Sequence, residues 1–180
     1  MKTKVLIGSL ILLFVISLSN VSVSSAQTLT PQDILKKKYP NEIVTIIKTM
    51  DVNSDNKKES FILTDSGNFY LINAKGSIVL INTGFIIDGA YYDEVNIQIY
   101  SVSSKEKHIA ITGSFSPSNT QLYVYRLQDG TLKQVLKLMG DLDVQIDKKG
   151  RIHQLWRDYY PEGGWEIAEG IFTWNTKINK

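Results

Sequence analysis

Oxygen-bearing side chains alternate along one short stretch of this sequence. Asp51, Asn53 and Asp55 are each separated by a single residue, and Glu59 follows after the backbone carbonyl of Lys57. Alternating oxygen ligands on a tight loop, closed by a later carboxylate, suit a hard cation such as calcium. The spacing therefore predicts a structural Ca²⁺ site formed by these five residues, in which the ion holds together carboxylates that would otherwise repel one another.

Two other structures could explain this stretch, an EF-hand and an ordinary polar turn. An EF-hand needs a glutamate at the twelfth position of its loop, which is Ile62 here, and a helix on each side, so it does not fit. An ordinary polar turn remains the alternative, because Asp, Asn, Ser and Lys are common in exposed turns.

Aromatic residues are concentrated near the end of the chain and give a second candidate site. Trp156, Tyr159, Tyr160 and Trp165 flank a turn that contains two glycines. Exposed rings on a loop edged by carboxylates can bind a sugar or a cationic peptide, and we predict a binding surface at these four residues. The alternative is that the rings fill the core and the sheet edge.

Catalytic signatures are poorly represented. The sequence has no Gly-x-Ser-x-Gly, no His-Glu-x-x-His and no cysteine. His108 and His153 lie in strand-like runs, where a lone histidine is usually a surface or satisfied residue. Asp158, Glu162 and Glu166 could form the carboxylate pair of a glycoside hydrolase. We favour a non-catalytic binding or structural role, with a small secreted hydrolase and an exported inhibitor-type protein as alternatives.

The first 26 residues have the pattern of a secretory signal peptide. Lys2 and Lys4 precede the apolar run 5–18, and small residues end the segment at Ala26. The run is shorter than the ~20 residues that a membrane-spanning helix needs. We therefore predict a secreted protein, with no membrane attachment after cleavage. A composition rich in Lys, Asn and Ile indicates a Gram-positive bacterium as the source.

Charge and cysteine content narrow the classes of partner. The chain has 20 basic and 18 acidic residues, and loss of Lys2 and Lys4 leaves equal numbers of each. A neutral chain offers no electrostatic attraction for nucleic acid or an anionic membrane. The expected partner is an unidentified extracellular protein or polysaccharide. Without cysteine, the fold must be held by its core, with the metal as a possible addition.

Hydrophobic patterning predicts a short helical segment followed by one β domain. Residues 27–42 contain the helix start Thr30-Pro31-Gln32-Asp33, and residues 43–180 contain eleven strand-like runs separated by glycine turns. This pattern predicts a mainly β fold of antiparallel, blade-like sheets with one short N-terminal helix. The sheets could form a partial propeller-like stack, a sandwich or a barrel.

The loop pattern and the strand after it resemble a known family. Asp51-x-Asn53-x-Asp55-x-x-x-Glu59, followed by Phe61-Ile62-Leu63, is similar to the calcium loop of FG-GAP β-propeller repeats, the integrin-α-type repeats also known as VCBS. Tyr123-Val124-Tyr125 with Asp129-Gly130 looks like the outer hairpin of such a blade. The family's usual glycine is Asn56 here, a residue that tolerates a left-handed backbone. The resemblance implies a β-sheet blade stabilised by calcium.

Overall fold

A computed structural model describes residues 29–85, 94–115 and 119–178. The predicted signal peptide lies outside these residues. The described residues form one helix and eleven strands, with the following bounds: α1 Pro31–Lys38, β1 Val44–Met50, β2 Glu59–Thr64, β3 Phe69–Ile72, β4 Ile78–Asn82, β5 Glu94–Ser101, β6 Lys107–Phe115, β7 Asn119–Gln128, β8 Thr131–Gly140, β9 Asp143–Ile146, β10 Ile152–Tyr159 and β11 Trp165–Phe172. The predicted mainly β fold with one short N-terminal helix is confirmed.

The helix begins where the sequence predicts. Thr30 Oγ1 accepts the backbone N–H of Asp33 at 3.2 Å, and the Asp33 carboxylate accepts the backbone N–H of Thr30 at 3.1 Å. This reciprocal pair is a capping box, and Pro31 takes the first helical position. A helix of eight residues is marginal by itself, so its packing has to hold it in place.

The strands form three antiparallel sheets. Sheet 1 has the order β1-β2-β3-β4, sheet 2 the order β5-β6-β7-β8, and sheet 3 the order β11-β10-β9. Neighbouring strands in each sheet follow one another along the chain, as hairpins require. Over the part of the chain that the structure describes, the sheets stay open, and no closed barrel forms.

Three apolar clusters stack these elements in layers. The cluster between sheets 1 and 2 contains Phe61 and Leu71 from one side and Ile109 and Tyr125 from the other. The cluster between sheets 2 and 3 joins Ala110, Leu122 and Val124 to Val144 and Ile152. Leu35 of α1 packs on the outer face of sheet 1, against Ile62, Tyr70 and Ile72. The order of layers is therefore α1, sheet 1, sheet 2, sheet 3.

Burial along the strands follows from this order. Every residue of β2 and β3 is buried, because sheet 1 lies between α1 and sheet 2. In contrast, β11 has no buried residue, and the described residues cover its sheet on one face only. No helix within the described ranges is long and apolar enough to cross a membrane.

Candidate functional site

The β1–β2 loop, residues 51–58, folds around the carboxylate of Asp51. Asp51 Oδ1 accepts the backbone N–H of Ser54 at 2.7 Å, and Oδ2 accepts that of Asn56 at 3.0 Å. Asp55 Oδ1 accepts the backbone N–H of Lys57 at 2.9 Å. Asn56 has a φ of 64°, so it adopts the left-handed backbone that its side chain was predicted to tolerate.

These hydrogen bonds also set the charge state of Asp51. Partial burial opposes ionisation, but the backbone N–H groups of Asn56 and Ser54 outweigh it and lower the pKa of Asp51. The lowered pKa keeps the carboxylate ionised, and both the hydrogen bonds of the loop and a cation require that charge state.

Glu59 is the unusual member of the predicted set. It is only 2 % exposed, and its Oε2 accepts the backbone N–H of Val52 at 3.4 Å. Within the described ranges it has no ion-pair partner. Burial raises its pKa, and the negative charges of Asp55 and Asp51 raise it further. A buried carboxylate without a cation is costly, and a bound metal would remove that cost.

A cavity of about 400 Å³ connects three of the predicted ligands. Asn53, Asp55 and Glu59 line it together with Asp129 and Lys75, which belong to the β7–β8 and β3–β4 turns. No three Asp, Glu, His or Cys side chains among the described residues are grouped closely enough to hold a metal by themselves. A site here therefore depends on the Asn53 amide oxygen and a backbone carbonyl as well as on carboxylates.

The β1–β2 loop also joins sheets 1 and 2. Lys107 Nζ donates to the carbonyl of Asp51 at 2.9 Å, and the Lys107 N–H donates to the carbonyl of Val52 at 3.1 Å. Ser54 Oγ donates to the carbonyl of Lys105 at 3.3 Å. The conformation of this loop therefore affects how the two sheets meet.

The four predicted aromatic residues lie on one hairpin but on both of its faces. Tyr159 pairs directly with Trp165, so the two rings share a face, and they are 65 % and 46 % exposed. Trp156 pairs with Ala168, three positions from Tyr159, and therefore points to the opposite face. Its ring covers Gly170, where an added Cβ would lie 3.2 Å away. The four rings thus do not form a single platform.

Tyr160 belongs to the turn at the tip of this hairpin. Its backbone N–H donates to the carbonyl of Gly164 at 3.1 Å, and its carbonyl accepts the N–H of Gly163 at 3.1 Å. A hydrogen bond with Glu166 raises the pKa of the Tyr160 hydroxyl. The residue is exposed, as a loop binding surface requires.

Two more residues lie on the face that Tyr159 and Trp165 share. Strand pairing places Arg157 and Ile167 beside them, and the Arg157 guanidinium lies 5.2 Å from the centre of the Trp165 ring. Because Ile152 and Val144 of the opposite face pack on sheet 2, this face points outward. We call it the outer face of sheet 3.

The three carboxylates of the hydrolase alternative all lie at the tip of the same hairpin. Asp158 pairs with Glu166 across the strands, and Glu162 is in the turn. All three are exposed. A general acid is normally kept protonated by burial, and none of these residues has that environment.

Two residues with unusual surroundings were missed by sequence analysis. His108 was expected to be a surface or satisfied residue, and this is wrong: it is 0 % exposed, and its Nδ1 has no hydrogen-bond partner within the part of the chain that the structure describes. Over the same residues, the buried Nε1 of Trp174 also lacks a partner. The sequence did contain a signal for the burial of His108. This residue lies two positions from Ala110 and so shares a strand face with it, and Ala110 packs inward. His153, in contrast, is satisfied by Glu169 at 2.6 Å.

Comparisons with protein-family models, with curated proteins and with solved structures found no match for this chain. The functional assignment therefore depends on the geometry alone.

Proposed function

We propose that this chain is an exported, non-catalytic binding module that calcium stabilises at the β1–β2 loop. The observation that carries the proposal is the Glu59 carboxylate, which is buried, lacks a cationic partner among the described residues and lines the same cavity as Asn53 and Asp55. Export is part of the proposal because of the signal-like first 26 residues.

The chemistry of the donors suits calcium. Carboxylates of Asp51, Asp55 and Glu59, the amide oxygen of Asn53 and the carbonyl of Lys57 are all hard oxygen donors. Calcium would supply two positive charges beside the Asp55 and Glu59 carboxylates that line the cavity, and this neutralisation is its whole contribution here. The backbone hydrogen bonds of Asp51 and Asp55 already give the loop its curvature. This arrangement supports the proposal that the chain is an FG-GAP/VCBS-like module.

The role of the metal would be to fix the junction between sheets 1 and 2. Lys107 and Lys105 of the β5–β6 region contact the β1–β2 loop through Asp51, Val52 and Ser54. A loop held in one conformation keeps these contacts in place. Stabilisation by a ligand that binds only the folded state rises with its concentration, so calcium should raise the melting temperature.

A melting experiment tests this part. We expect millimolar Ca²⁺ to raise the melting temperature of the wild type, a chelator to lower it, and Asp55→Ala to abolish the response. Asp65→Ala is a matched control, because Asp65 is an exposed aspartate in the neighbouring β2–β3 turn. A calcium response that is unchanged in Asp55→Ala would refute the site.

The binding surface in this proposal is the outer face of sheet 3. Tyr159, Trp165 and Ile167 are all exposed there, and by strand pairing they lie on the same face. Monomeric proteins seldom expose contiguous apolar strips without a partner. Flat aromatic rings beside a guanidinium suit the apolar faces and hydroxyl groups of sugar rings, so we propose an extracellular polysaccharide as the partner.

Co-sedimentation with insoluble cell-wall polysaccharide tests the partner. We expect Trp165→Ala to reduce the bound fraction strongly and Trp156→Ala, on the opposite face, to reduce it much less. No release of soluble sugar should accompany binding. Absence of binding by the wild type would refute the polysaccharide partner, and sugar release that is lost in Glu166→Gln would instead support the hydrolase alternative.

A further inference from the structure

A cavity of about 560 Å³ lies between sheets 2 and 3, away from the β1–β2 loop. Its walls come from β5, β6, β7, β8 and β10 and from the chain at the end of β11. Most of the lining side chains are apolar: Val124, Val135, Leu136, Ile152, Ile171 and Phe172. The volume falls within the range of roughly 300–1,000 Å³ that is usual for small-molecule sites.

Two polar atoms at this cavity have no hydrogen-bond partner among the described residues. They are His108 Nδ1 and Trp174 Nε1, and both residues line the cavity. Buried polar groups in native proteins are nearly always hydrogen-bonded, so each unpaired group needs an explanation. A ligand that pairs with both atoms would provide one.

The hydrogen-bonding role of each atom can be assigned. Glu106 Oε1 lies 2.6 Å from Arg126 Nε and 3.1 Å from His108 Nε2. A carboxylate paired with a guanidinium only accepts hydrogen bonds, so His108 Nε2 carries the hydrogen. Burial has the largest effect on the pKa of His108 and lowers it, which keeps the ring neutral and leaves Nδ1 as an acceptor. Trp174 Nε1 can only donate.

The two rings are held next to each other. The His108 and Trp174 ring centroids are 4.6 Å apart in an edge-on contact, and the Arg126 guanidinium lies 5.9 Å from the centre of the Trp174 ring. Tyr100 contacts the other side of His108, with centroids 5.9 Å apart. The acceptor and the donor are therefore fixed in position before any ligand arrives, which lowers the entropic cost of binding.

We propose that the cavity between sheets 2 and 3 binds a small, uncharged molecule that has an apolar body and a polar head, with the head donating to His108 Nδ1 and accepting from Trp174 Nε1. A primary carboxamide has this chemistry. An ionised head does not fit, because the lining residues include no Lys, Arg, Asp or Glu to pair with it. The inference does not depend on calcium or on the outer face of sheet 3.

Titration with a matched pair of probes tests the proposal. 4-Phenylbutanamide and 4-phenylbutanoate share one body, but at neutral pH only the acid is ionised. We expect the amide to shift the indole N–H resonance of Trp174 saturably in ¹H–¹⁵N spectra, and the acid to bind at least about tenfold more weakly. The three tryptophan resonances can be assigned by single Trp→Phe variants.

Variants then test the donor itself. Trp174→Phe keeps an aromatic wall but removes the N–H, and calorimetry should show affinity for the amide reduced about tenfold. Trp165→Phe is the matched control, because Trp165 lies on the outer face of sheet 3 and does not line the cavity, so its affinity should equal that of the wild type. Melting temperatures of both variants would establish that they are folded.

Three results would overturn the site. They are the absence of any saturable shift at Trp174 up to about 5 mM amide, equal affinity for the amide and the acid, or unchanged affinity in Trp174→Phe. A melting temperature that still responds to calcium while the amide fails to bind would overturn this inference and leave the calcium site intact.

Discussion

The two ends of the sheet stack differ in how their outer faces are covered. At one end, α1 lies on sheet 1, and Leu35 is 1 % exposed against Ile62, Tyr70 and Ile72. At the other end, sheet 3 has an outer face on which Ile167 is 62 % exposed. Both sheets pack on sheet 2 through apolar clusters, so the difference lies only in the second face. A face that is covered contributes to stability, whereas one left open is available to a partner.

Substitution of one side chain at each end gives the largest predicted contrast. Leu35 is the only buried residue of α1, so Leu35→Ala should release the helix and cost about 2–4 kcal/mol in the free energy of unfolding. Ile167→Ala should change it by less than about 0.5 kcal/mol, because the side chain is already in water. Urea unfolding monitored by fluorescence measures both.

Similar losses of unfolding free energy in Leu35→Ala and Ile167→Ala would contradict the predicted difference between the two ends. A large loss in Ile167→Ala would mean that the outer face of sheet 3 is buried in solution, for instance by a second copy of the chain. Sedimentation of the wild type at several concentrations would identify that case.

At the covered end of the stack, where α1 lies on sheet 1, the buried carboxylate of Glu59 is unfavourable, and its replacement should stabilise the protein. Folding raises the pKa of Glu59, so without metal its ionised form opposes folding, and stability falls as the pH rises above its ordinary value near 4.5. Glu59→Gln should therefore increase the free energy of unfolding at neutral pH in the presence of chelator by about 1 kcal/mol. The same variant should lose the calcium response. A variant less stable than the wild type in chelator would contradict this account of Glu59.

Acid should weaken the covered end. Glu42 accepts hydrogen bonds from Ser66 Oγ at 2.6 Å, Asn68 Nδ2 at 2.7 Å and Tyr70 OH at 2.8 Å. Burial opposes ionisation, but these bonds prevail and lower the pKa of Glu42 to about 2. The stability that it contributes is complete above the ordinary value near 4.5 and is lost as the pH falls towards 2.

Melting temperatures of the wild type and Glu42→Gln between pH 6 and pH 2 measure this effect. The difference between the two proteins should shrink by a few degrees as the pH falls. A constant difference across that range would show that the Glu42 cluster does not titrate as its contacts predict.

The smallest predicted effect concerns His153 on sheet 3, at the open end of the stack. Its contribution to stability falls as the pH rises, whereas that of Glu42 falls as the pH drops. Glu169 and Asp147 hydrogen-bond to His153 and raise its pKa above the ordinary value near 6.5. Stability from the protonated ring is complete below that value and is lost as the pH rises through the raised pKa. The melting temperature of the wild type should decline slightly over this range, and that of His153→Gln should not. Equal declines in both proteins would exclude His153 as the cause.

Much of the fold could be predicted because its signals are local. Alternating residues such as Val95, Ile97 and Ile99 and the glycine turns between runs located the eleven strands of the described residues, with ends that differ by three residues at most. The Thr30 capping box located the helix start. These features depend on neighbours within a few positions of the chain, which a sequence displays directly.

The parts that sequence analysis missed depend on distant contacts. Trp174 contacts His108, which lies 66 positions earlier in the chain, and no local pattern predicts that contact. The shared face of Tyr159 and Trp165 follows from the register of β10 and β11, which the length of the turn sets. Local composition indicated an aromatic surface, but only strand pairing shows which rings share a face.

The free edge of β11 also affects whether copies of the protein aggregate. β11 is the last strand of sheet 3, so one side of its backbone lacks a strand partner among the described residues. Such an edge can recruit the same edge of another molecule and start aggregation. In an antiparallel pairing centred between Ile167 and Ala168, Glu166 of each copy would lie opposite Glu169 of the other. The like charges repel, and the edge discourages fibre growth while the adjacent face stays open.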